Sequence, residues 1–127
     1  MNFSQDPNED PTFIHSYTAD YLVINQTKFD CHCLLHCQGL IEPWSPTTPL
    51  QPQFSEFDSI LQLKPEVVLL GTGQQLRFPS NELRKLFQQQ SIGLEIMDTG
   101  AACRTYNILL SEGRNVAAAI LLNRPFN

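Results

Sequence analysis

The chain has 127 residues, of which 42% are hydrophobic and 17% are charged, and its formal net charge is −5. A chain of this length and composition fits one globular domain. The acidic balance excludes a broad nucleic-acid surface, which needs a basic stripe, and makes an anionic membrane an unfavourable partner.

The N-terminal segment has no features of an export signal. Residues 1–11 are polar and acidic, without the basic and apolar regions of a signal peptide. The longest apolar run, residues 116–122, is far shorter than the roughly 20 residues that a transmembrane segment needs. We therefore expect a cytoplasmic protein whose cysteines are reduced thiols. Residues 1–17 are predicted to form a flexible acidic tail, because they offer little to bury.

The next part of the chain predicts a hairpin and then a fixed loop. Residues 21–24 are β-branched and aromatic, residues 28–37 form a second strand-like run, and residues 25–27 suit a tight turn. Four prolines exclude regular structure from residues 42–53, and Trp44 is predicted to anchor that loop to the body. Ser55 can cap a short helix that ends before Pro65.

The second half alternates strands and helices. The apolar residues 67–70 predict a strand that is covered on both faces. Ser80 caps a predicted amphipathic helix, residues 94–97 predict a strand, residues 101–112 predict a helix that ends at Gly113, and residues 116–122 predict a closing strand. A hairpin followed by strand, helix, strand, helix and strand predicts an α/β fold.

Two glycine motifs resemble known catalytic or cofactor motifs, but their context does not support them. Asp98-Thr99-Gly100 matches the aspartic protease motif, yet only 29 residues follow Asp98 and its flanks predict helices where that fold is all-β. Gly71-Thr72-Gly73 resembles the start of a dinucleotide fingerprint, but Leu76 stands where the third glycine belongs. A strand-end turn that needs positive φ is the better interpretation.

Residues 31–37 hold three cysteines and two histidines, which suggests a metal cluster. If this run is a strand, the cysteines lie on one face and the histidines on the other, so one tetrahedral ion cannot gather them. We expect no metal and no cofactor, with the thiols packing as small hydrophobic groups. A cysteine hydrolase would need contact between Cys103 and a histidine, which the sequence does not establish.

The best candidate site lies at the ends of two consecutive predicted strands, which parallel pairing would place at one edge of the sheet. Asp98 or Thr99 can cap the following helix, whose free amides and dipole favour an anion. A cysteine near a helix start and beside an arginine can have a lowered pKa. The purely structural alternative is that Asp98 caps, Cys103 packs and Arg104 pairs with a surface carboxylate. The candidate ligand or partner residues are Gly71, Thr72, Gly73, Asp98, Thr99, Gly100, Cys103 and Arg104.

Several segments together carry a family resemblance: Ile24-Asn25, Pro43-Trp44, residues 69–73, Arg77-Phe78-Pro79 and residues 97–109. From about Tyr17 to Leu122 the chain resembles bacterial members of a small domain family first known from a methanogen protein of unknown function, the Mth-like domains. That family also contains the mitochondrial respiratory complex I assembly factor three and an adipogenesis-associated protein. The cysteine run at residues 31–37 departs from common bacterial relatives.

The resemblance implies a single three-layer α/β domain over residues 18–122 with a mixed central sheet, followed by a short tail at residues 123–127. It implies no established enzymatic activity and a role through protein partners. We therefore expect a non-enzymatic interaction or assembly domain, linked to respiratory complex or membrane-protein biogenesis. The alternative is a small-anion-binding protein or an unrecognised enzyme that uses the crevice between the two glycine turns.

Overall fold

The computed structural model describes residues 10–123, in which eight strands form two sheets. The strands are β1 (Ile14–Tyr17), β2 (Leu22–Ile24), β3 (Thr27–Phe29), β4 (Cys33–His36), β5 (Leu40–Pro43), β6 (Val67–Gly71), β7 (Gly93–Met97) and β8 (Val116–Ile120). The helices are α1 (Asp58–Leu61), which continues a 3₁₀ turn at Phe54–Phe57, then α2 (Asn81–Gln89) and α3 (Thr99–Ser111). None of the helices in this described range is long and apolar enough to cross a membrane.

The larger sheet is mixed, with the strand order β5-β4-β8-β6-β7. Strands β6, β7 and β8 run parallel to one another, whereas β4 is antiparallel to both of its neighbours, β5 and β8. Both β6 and β8 are buried along their whole length, as expected for apolar strands that are covered on both faces. Strand β8, the last strand within residues 10–123, therefore occupies the centre of the sheet.

The alternation of side chains along these strands builds two separate cores and three layers. On one face, Leu69 and Ala118 pack with α3 and with the small sheet, which has the order β1-β2-β3. On the other face, Val68 and Ala117 pack with α1, α2 and Trp44. The α/β class, the three layers and the mixed central sheet are confirmed.

The predicted tail over residues 1–17 is wrong for the residues that the structure describes. Residues 14–17 form β1, which pairs with β2, and Ile14 is 2% exposed. The hydroxyl of Tyr106 donates to Thr12 Oγ1 at 2.8 Å, and the side chain of Asn107 bonds to both backbone groups of Ile14. These contacts with α3 join residues that are 93 or 94 positions apart in the chain, so no local sequence pattern predicts them. Residues 1–9 and 124–127 lie outside the described range.

The N-terminal hairpin is confirmed for β2 and β3. Asn25 and Gln26 have φ angles of 50° and 66°, the pair of positive values that a two-residue hairpin turn requires. The strand-like run over residues 28–37 is not one strand, however. It divides into β3, which stays in the small sheet, and β4, which joins the central sheet.

The predicted roles of Trp44 and Ser80 are observed, whereas the predicted cap at Ser55 and the predicted start of α3 differ from the structure. Trp44 is buried, and its Nε1 donates to the carbonyl of Glu56 at 2.8 Å, which fixes the proline-rich loop. Ser80 Oγ accepts from the amide of Leu83, as predicted. Ser55 does not cap the short helix, because it lies inside the 3₁₀ turn, whose N-cap is Gln53. Helix α3 starts at Thr99, two residues earlier than predicted.

His36 lies in β4 and is fully buried. Its Nδ1 accepts from the amide of Gln38 at 3.0 Å, so its Nε2 carries the proton and donates to Asn115 Oδ1 at 2.7 Å. Burial lowers the pKa of His36 below its ordinary value, and the bond with Asn115 opposes that effect only in part. Protonation of His36 would convert Nδ1 from an acceptor to a donor and break the bond from Gln38.

Replacing Ile14 tests whether β1 belongs to the core. Ile14→Ala should lower the free energy of unfolding by about 2–5 kcal/mol, because it leaves a cavity against α3 and the small sheet. Ser16→Ala, on an exposed residue of the same strand, should change it little. Urea unfolding followed by circular dichroism measures both values, and two equally small effects would contradict the assignment of β1 to the core.

Acid should destabilise the fold through His36. The pKa of His36 in the folded chain lies below its unfolded value of about 6.5. The neutral side chain therefore stabilises the fold fully above pH 6.5, and this part of the free energy of unfolding is lost as the pH falls below about 6.5. Unfolding free energies between pH 7.5 and 5 should therefore fall less steeply for His36→Gln than for the unsubstituted chain. His15→Gln, at an exposed histidine, is the matched control. If the free energy of unfolding fell equally with pH for all three proteins, the role of His36 would be contradicted.

Candidate functional site

The two predicted glycine turns meet in space. Strands β6 and β7 pair in parallel with Gly71 opposite Met97, so both turns leave the same edge of the sheet. The amide of Gly73 donates to Thr99 Oγ1 at 2.8 Å, and the amide of Thr99 donates back to the carbonyl of Gly73 at 2.8 Å. The predicted proximity of the turns is therefore confirmed.

Thr99 also connects this pair to the central strand. Its Oγ1 donates to the carbonyl of Leu121 at 2.6 Å, just beyond the end of β8, and the amide of Leu121 donates to the carbonyl of Gly71 at 2.9 Å. The Thr99 side chain is buried, so these bonds form in a low-dielectric environment where an unpaired hydroxyl would be costly. One hydroxyl thus joins the ends of all three parallel strands.

Gly71 is required because α3 approaches the sheet closely at this point. A Cβ at position 71 would lie 3.0 Å from Thr99 Oγ1 and 3.1 Å from the Cβ of Ala102. Gly73 has a φ of +93°, which a side chain rarely adopts. Gly71 therefore shapes the junction between strand and helix and leaves no open space over its own backbone. Gly73 is needed for its backbone conformation, and a Cβ there would meet no atom within 4 Å.

The start of α3 uses its amides within the protein. The amide of Thr99 donates to Gly73, and the amide of Ala101 donates to the carboxylate of Asp98 at 2.9 Å. An anion bound at this helix start would have to displace or repel the Asp98 carboxylate, which already stabilises the helix dipole. These contacts weigh against the small-anion hypothesis.

Cys103 does not join the other candidate residues. It is fully buried in the core between α3 and the sheet. Burial raises the pKa of its thiol to about 12, and the neighbouring Arg104 guanidinium offsets only part of that effect. Of the two alternatives, a lowered pKa and a packed side chain, the burial of Cys103 agrees with the packed side chain. A protonated, buried thiol is not a nucleophile.

Arg104 is exposed beside the start of α3. Its NH1 donates to the hydroxyl of Tyr17 at 2.6 Å, and this bond raises the pKa of the guanidinium. Tyr17 is a site residue that sequence reasoning missed, because it was assigned to the tail. The β-prone residues 12–17 carried a signal for a strand there. Residues 17–19, Gly73 and Gln74 together with residues 98–100 enclose a crevice of about 330 Å³.

Thr72 shapes the loop that leaves the first turn. Its Oγ1 donates to the carbonyl of Gln75 at 2.7 Å and accepts from the amide of Arg77 at 3.1 Å. This tight turn holds the following residues outward, so that Leu76 is 52% exposed and Phe78 is 60% exposed. Leu50 and Arg77 line a second depression of about 290 Å³ beside it. Sequence reasoning missed this apolar loop, because a single exposed leucine or phenylalanine has no distinctive pattern.

The cysteine and histidine run does not assemble a metal site from the residues that the structure describes. Among residues 10–123, no group of three or more His, Cys, Asp or Glu side chains is placed to hold a metal ion. The Sγ atoms of Cys31 and Cys33 lie 4.0 Å apart and are free thiols, and burial strongly raises the pKa of Cys33. His32 accepts from the amide of Leu122 through its Nδ1. These side chains serve packing and backbone hydrogen bonding.

Adding one methyl group at the junction tests the close approach of helix and sheet. Gly71→Ala should lower the free energy of unfolding by about 1–3 kcal/mol, because the new Cβ presses on Thr99 and Ala102. Gly93→Ala is the matched control, since a Cβ there has its nearest neighbour at 3.5 Å. Chemical denaturation of both variants measures the difference, and equal stability of the two would show that the junction is loosely packed.

Comparison with known proteins places this architecture in an established group. The profile of the family described as "Protein of unknown function (DUF498/DUF598)" matches residues 14–121. The chain is 37% identical to NADH dehydrogenase (ubiquinone) 1 alpha subcomplex assembly factor 3 of Danio rerio, over 87% of this chain and 64% of that protein. It therefore spans slightly less than two thirds of that relative. It is also 26% identical to the 13 kDa major membrane protein of Francisella tularensis, over 95% of this chain and 99% of that protein.

Solved structures agree with this assignment. The solution structure of a Bordetella pertussis protein described as a Mth938-like domain matches with a TM-score of 0.72 and 28% identity, and the match covers 95% of this chain and 92% of that one. The resemblance that the sequence motifs indicated is therefore confirmed. The chain belongs to the DUF498/DUF598 family of unknown function, and it is similar both to a Mth938-like domain and to assembly factor 3.

Proposed function

We propose that this chain is a non-enzymatic protein-interaction module that takes part in the assembly of a respiratory complex or another membrane protein complex. The observation that carries the proposal is the exposed apolar loop at Leu76 and Phe78, held outward by Thr72. The proposal includes a cytoplasmic location, with attachment to a membrane through the complex being assembled.

The chemistry around the glycine turns supports a binding role over catalysis. The hydroxyl of Thr99, the carboxylate of Asp98 and the amides of both turns bond to one another, so they maintain the fold. Cys103, the one nucleophilic side chain predicted there, is buried and protonated. A general base and a nucleophile within hydrogen-bond reach of each other are the minimum for acyl transfer, and these turns do not provide them.

The surface chemistry supports a protein partner. Arg84 stacks over the ring of Phe78 with its guanidinium carbon 5.9 Å from the ring centroid, and Arg77 lies next to Phe78 in the chain. Aromatic and arginine side chains are the residues that carry most binding energy in protein interfaces. The names of two relatives point in the same direction, since one is an assembly factor and another is a major membrane protein.

Affinity capture with matched variants tests this function. The chain is tagged and isolated from cells that express it naturally, and co-purifying proteins are quantified by mass spectrometry. Subunits of a membrane complex should accompany the unsubstituted chain. A variant with Leu76→Ser and Phe78→Ser should lose them by about tenfold or more, because an interface aromatic residue contributes roughly 1.4 kcal/mol or more.

Ile108→Ser is the control, because Ile108 is 56% exposed but lies on α3 rather than on this loop. It should retain the same partners. Equal loss with both variants would indicate a general effect of surface polarity and would contradict the loop as the interface. Enrichment of a small-molecule substrate or product with the chain, with no protein subunits, would contradict the interaction function itself.

A further inference from the structure

Strand β7 forms an open edge of the central sheet. It pairs with β6 on one side, and within residues 10–123 no strand pairs with its other side. The amide of Gly93 donates to Glu66, and the carbonyl of Met97 accepts from Thr72, so residues 93, 95 and 97 turn their main-chain groups toward β6. The alternate residues, Leu94 and Ile96, therefore turn their amides and carbonyls outward.

The other edges of the described sheets are protected in ways that β7 is not. Strand β5 ends at Pro43, which has no amide hydrogen to donate. The side chain of Asn107 bonds to the amide and carbonyl of Ile14 in β1, and β3 has only three residues, including Lys28. By contrast, β7 has five residues without proline and with a single charge, that of Glu95. Such an edge is a template for pairing with another strand.

A second copy of the chain is a poor occupant for this edge. If two copies paired their β7 strands antiparallel about a two-fold axis, Leu94 of each copy would bond to Ile96 of the other. The axis would then pass through Glu95. That register sets Glu95 directly opposite Glu95 of the second copy, where side chains approach most closely and like charges destabilise the pair. A strand with a basic residue at the central position would replace this repulsion by attraction.

A recess of mixed polar and apolar lining lies beside the edge and receives the flanking residues of such a strand. Phe87, Ile92 and Leu94 line a depression of about 240 Å³ on the α2 side of β7, with Arg84 and Gln88 at its rim. Side chains alternate along a strand, so residues on either side of a basic residue that faces Glu95 would point toward this recess. The edge and the recess together fit an added strand in which one basic residue lies between two apolar residues.

We propose that the β7 edge binds an extended segment of a partner protein by strand addition, with a lysine or arginine opposite Glu95 and apolar residues on both sides of it. Main-chain hydrogen bonds to Leu94 and Ile96 supply affinity, and Glu95 and the recess supply selectivity. This surface adjoins the loop of the proposed function at Arg84, which contacts Phe78 and also lies at the rim of the recess. It adds a second contact to an interaction module and rests on the proposed function for its biological setting.

Amide hydrogen exchange with a defined peptide tests the proposal. The probe is the capped peptide Thr-Val-Lys-Val-Thr, added to the isotopically labelled full chain and followed by NMR. At roughly 90% occupancy, exchange at the amides of Leu94 and Ile96 should slow about tenfold, because only the free tenth of the protein exchanges. The amides of Glu95 and Met97 already donate to β6 and should change little.

Two controls separate strand addition from other modes of binding. The same peptide with N-methyl groups on both valines should not bind, because its donors to β7 are removed. A peptide with glutamate in place of lysine should bind about three- to tenfold more weakly, and Glu95→Lys should reverse that preference. Glu95 is exposed, so this substitution leaves the core intact.

The proposal fails if the peptide does not bind at millimolar concentration, or if the N-methylated peptide binds as well as the parent. It also fails if Leu94 and Ile96 are already protected in the free chain, since the edge would then be covered by the chain itself or by a second copy. None of these results affects the capture test at Leu76 and Phe78, so the two proposals can fail independently.

Discussion

The hydroxyl of Thr99 is the contact on which the arrangement of the parallel strands depends. It lies where β6, β7 and β8 end, accepts from Gly73 and donates to Leu121. This geometry is available only because position 71 has no side chain, which lets α3 approach within contact distance of β6. The helix is thereby fixed over the sheet, and the loops that follow each strand start from defined positions. The crevice and the apolar loop are consequences of this junction.

The junction explains why glycine-bearing turns at two strand ends need not indicate a bound ligand. In many α/β proteins such turns leave amides free to hold a phosphate or a cofactor. Here the amides of Gly73, Thr99 and Ala101 bond to groups of the same two turns and to the Asp98 carboxylate. The same residue types therefore serve the connection of helix to sheet, and the surface beside them is available to a partner.

Sequence periodicity was enough to predict the second half of the fold. The apolar runs, Ser80, Gly113 and the alternation of strands with helices are local features, and each appears where the sequence indicated it. The meeting of the two turns also followed, because parallel pairing of consecutive strands has few alternatives. The family resemblance supplied the three layers and the mixed sheet, which local patterns do not specify.

The errors arose where a residue's role depends on partners far away in the chain. Ile14 and Tyr17 pair with the nearby β2, but they also bond to α3, about 90 residues later, and that contact cannot be read from a short strand beside an acidic segment. Cys103 was judged by its neighbours in sequence, Arg104 and the start of α3, whereas its burial in the core decides its chemistry. The exposure of Leu76 and Phe78 depends on the hydroxyl of Thr72, a contact that composition does not reveal.

The position of β8 at the centre of the sheet has a consequence for the order of folding. Cys33 pairs with Ile120, and Val67 pairs with Val116, so the two halves of the central sheet, β5-β4 and β6-β7, are joined only when β8 is in place. Until then the apolar strands β4 and β6 each lack a neighbour, and such non-local pairing slows folding and leaves apolar edges open to aggregation. Completion of the central sheet is therefore a late, non-local step, in which β8 inserts between two strands that are distant from each other in the chain.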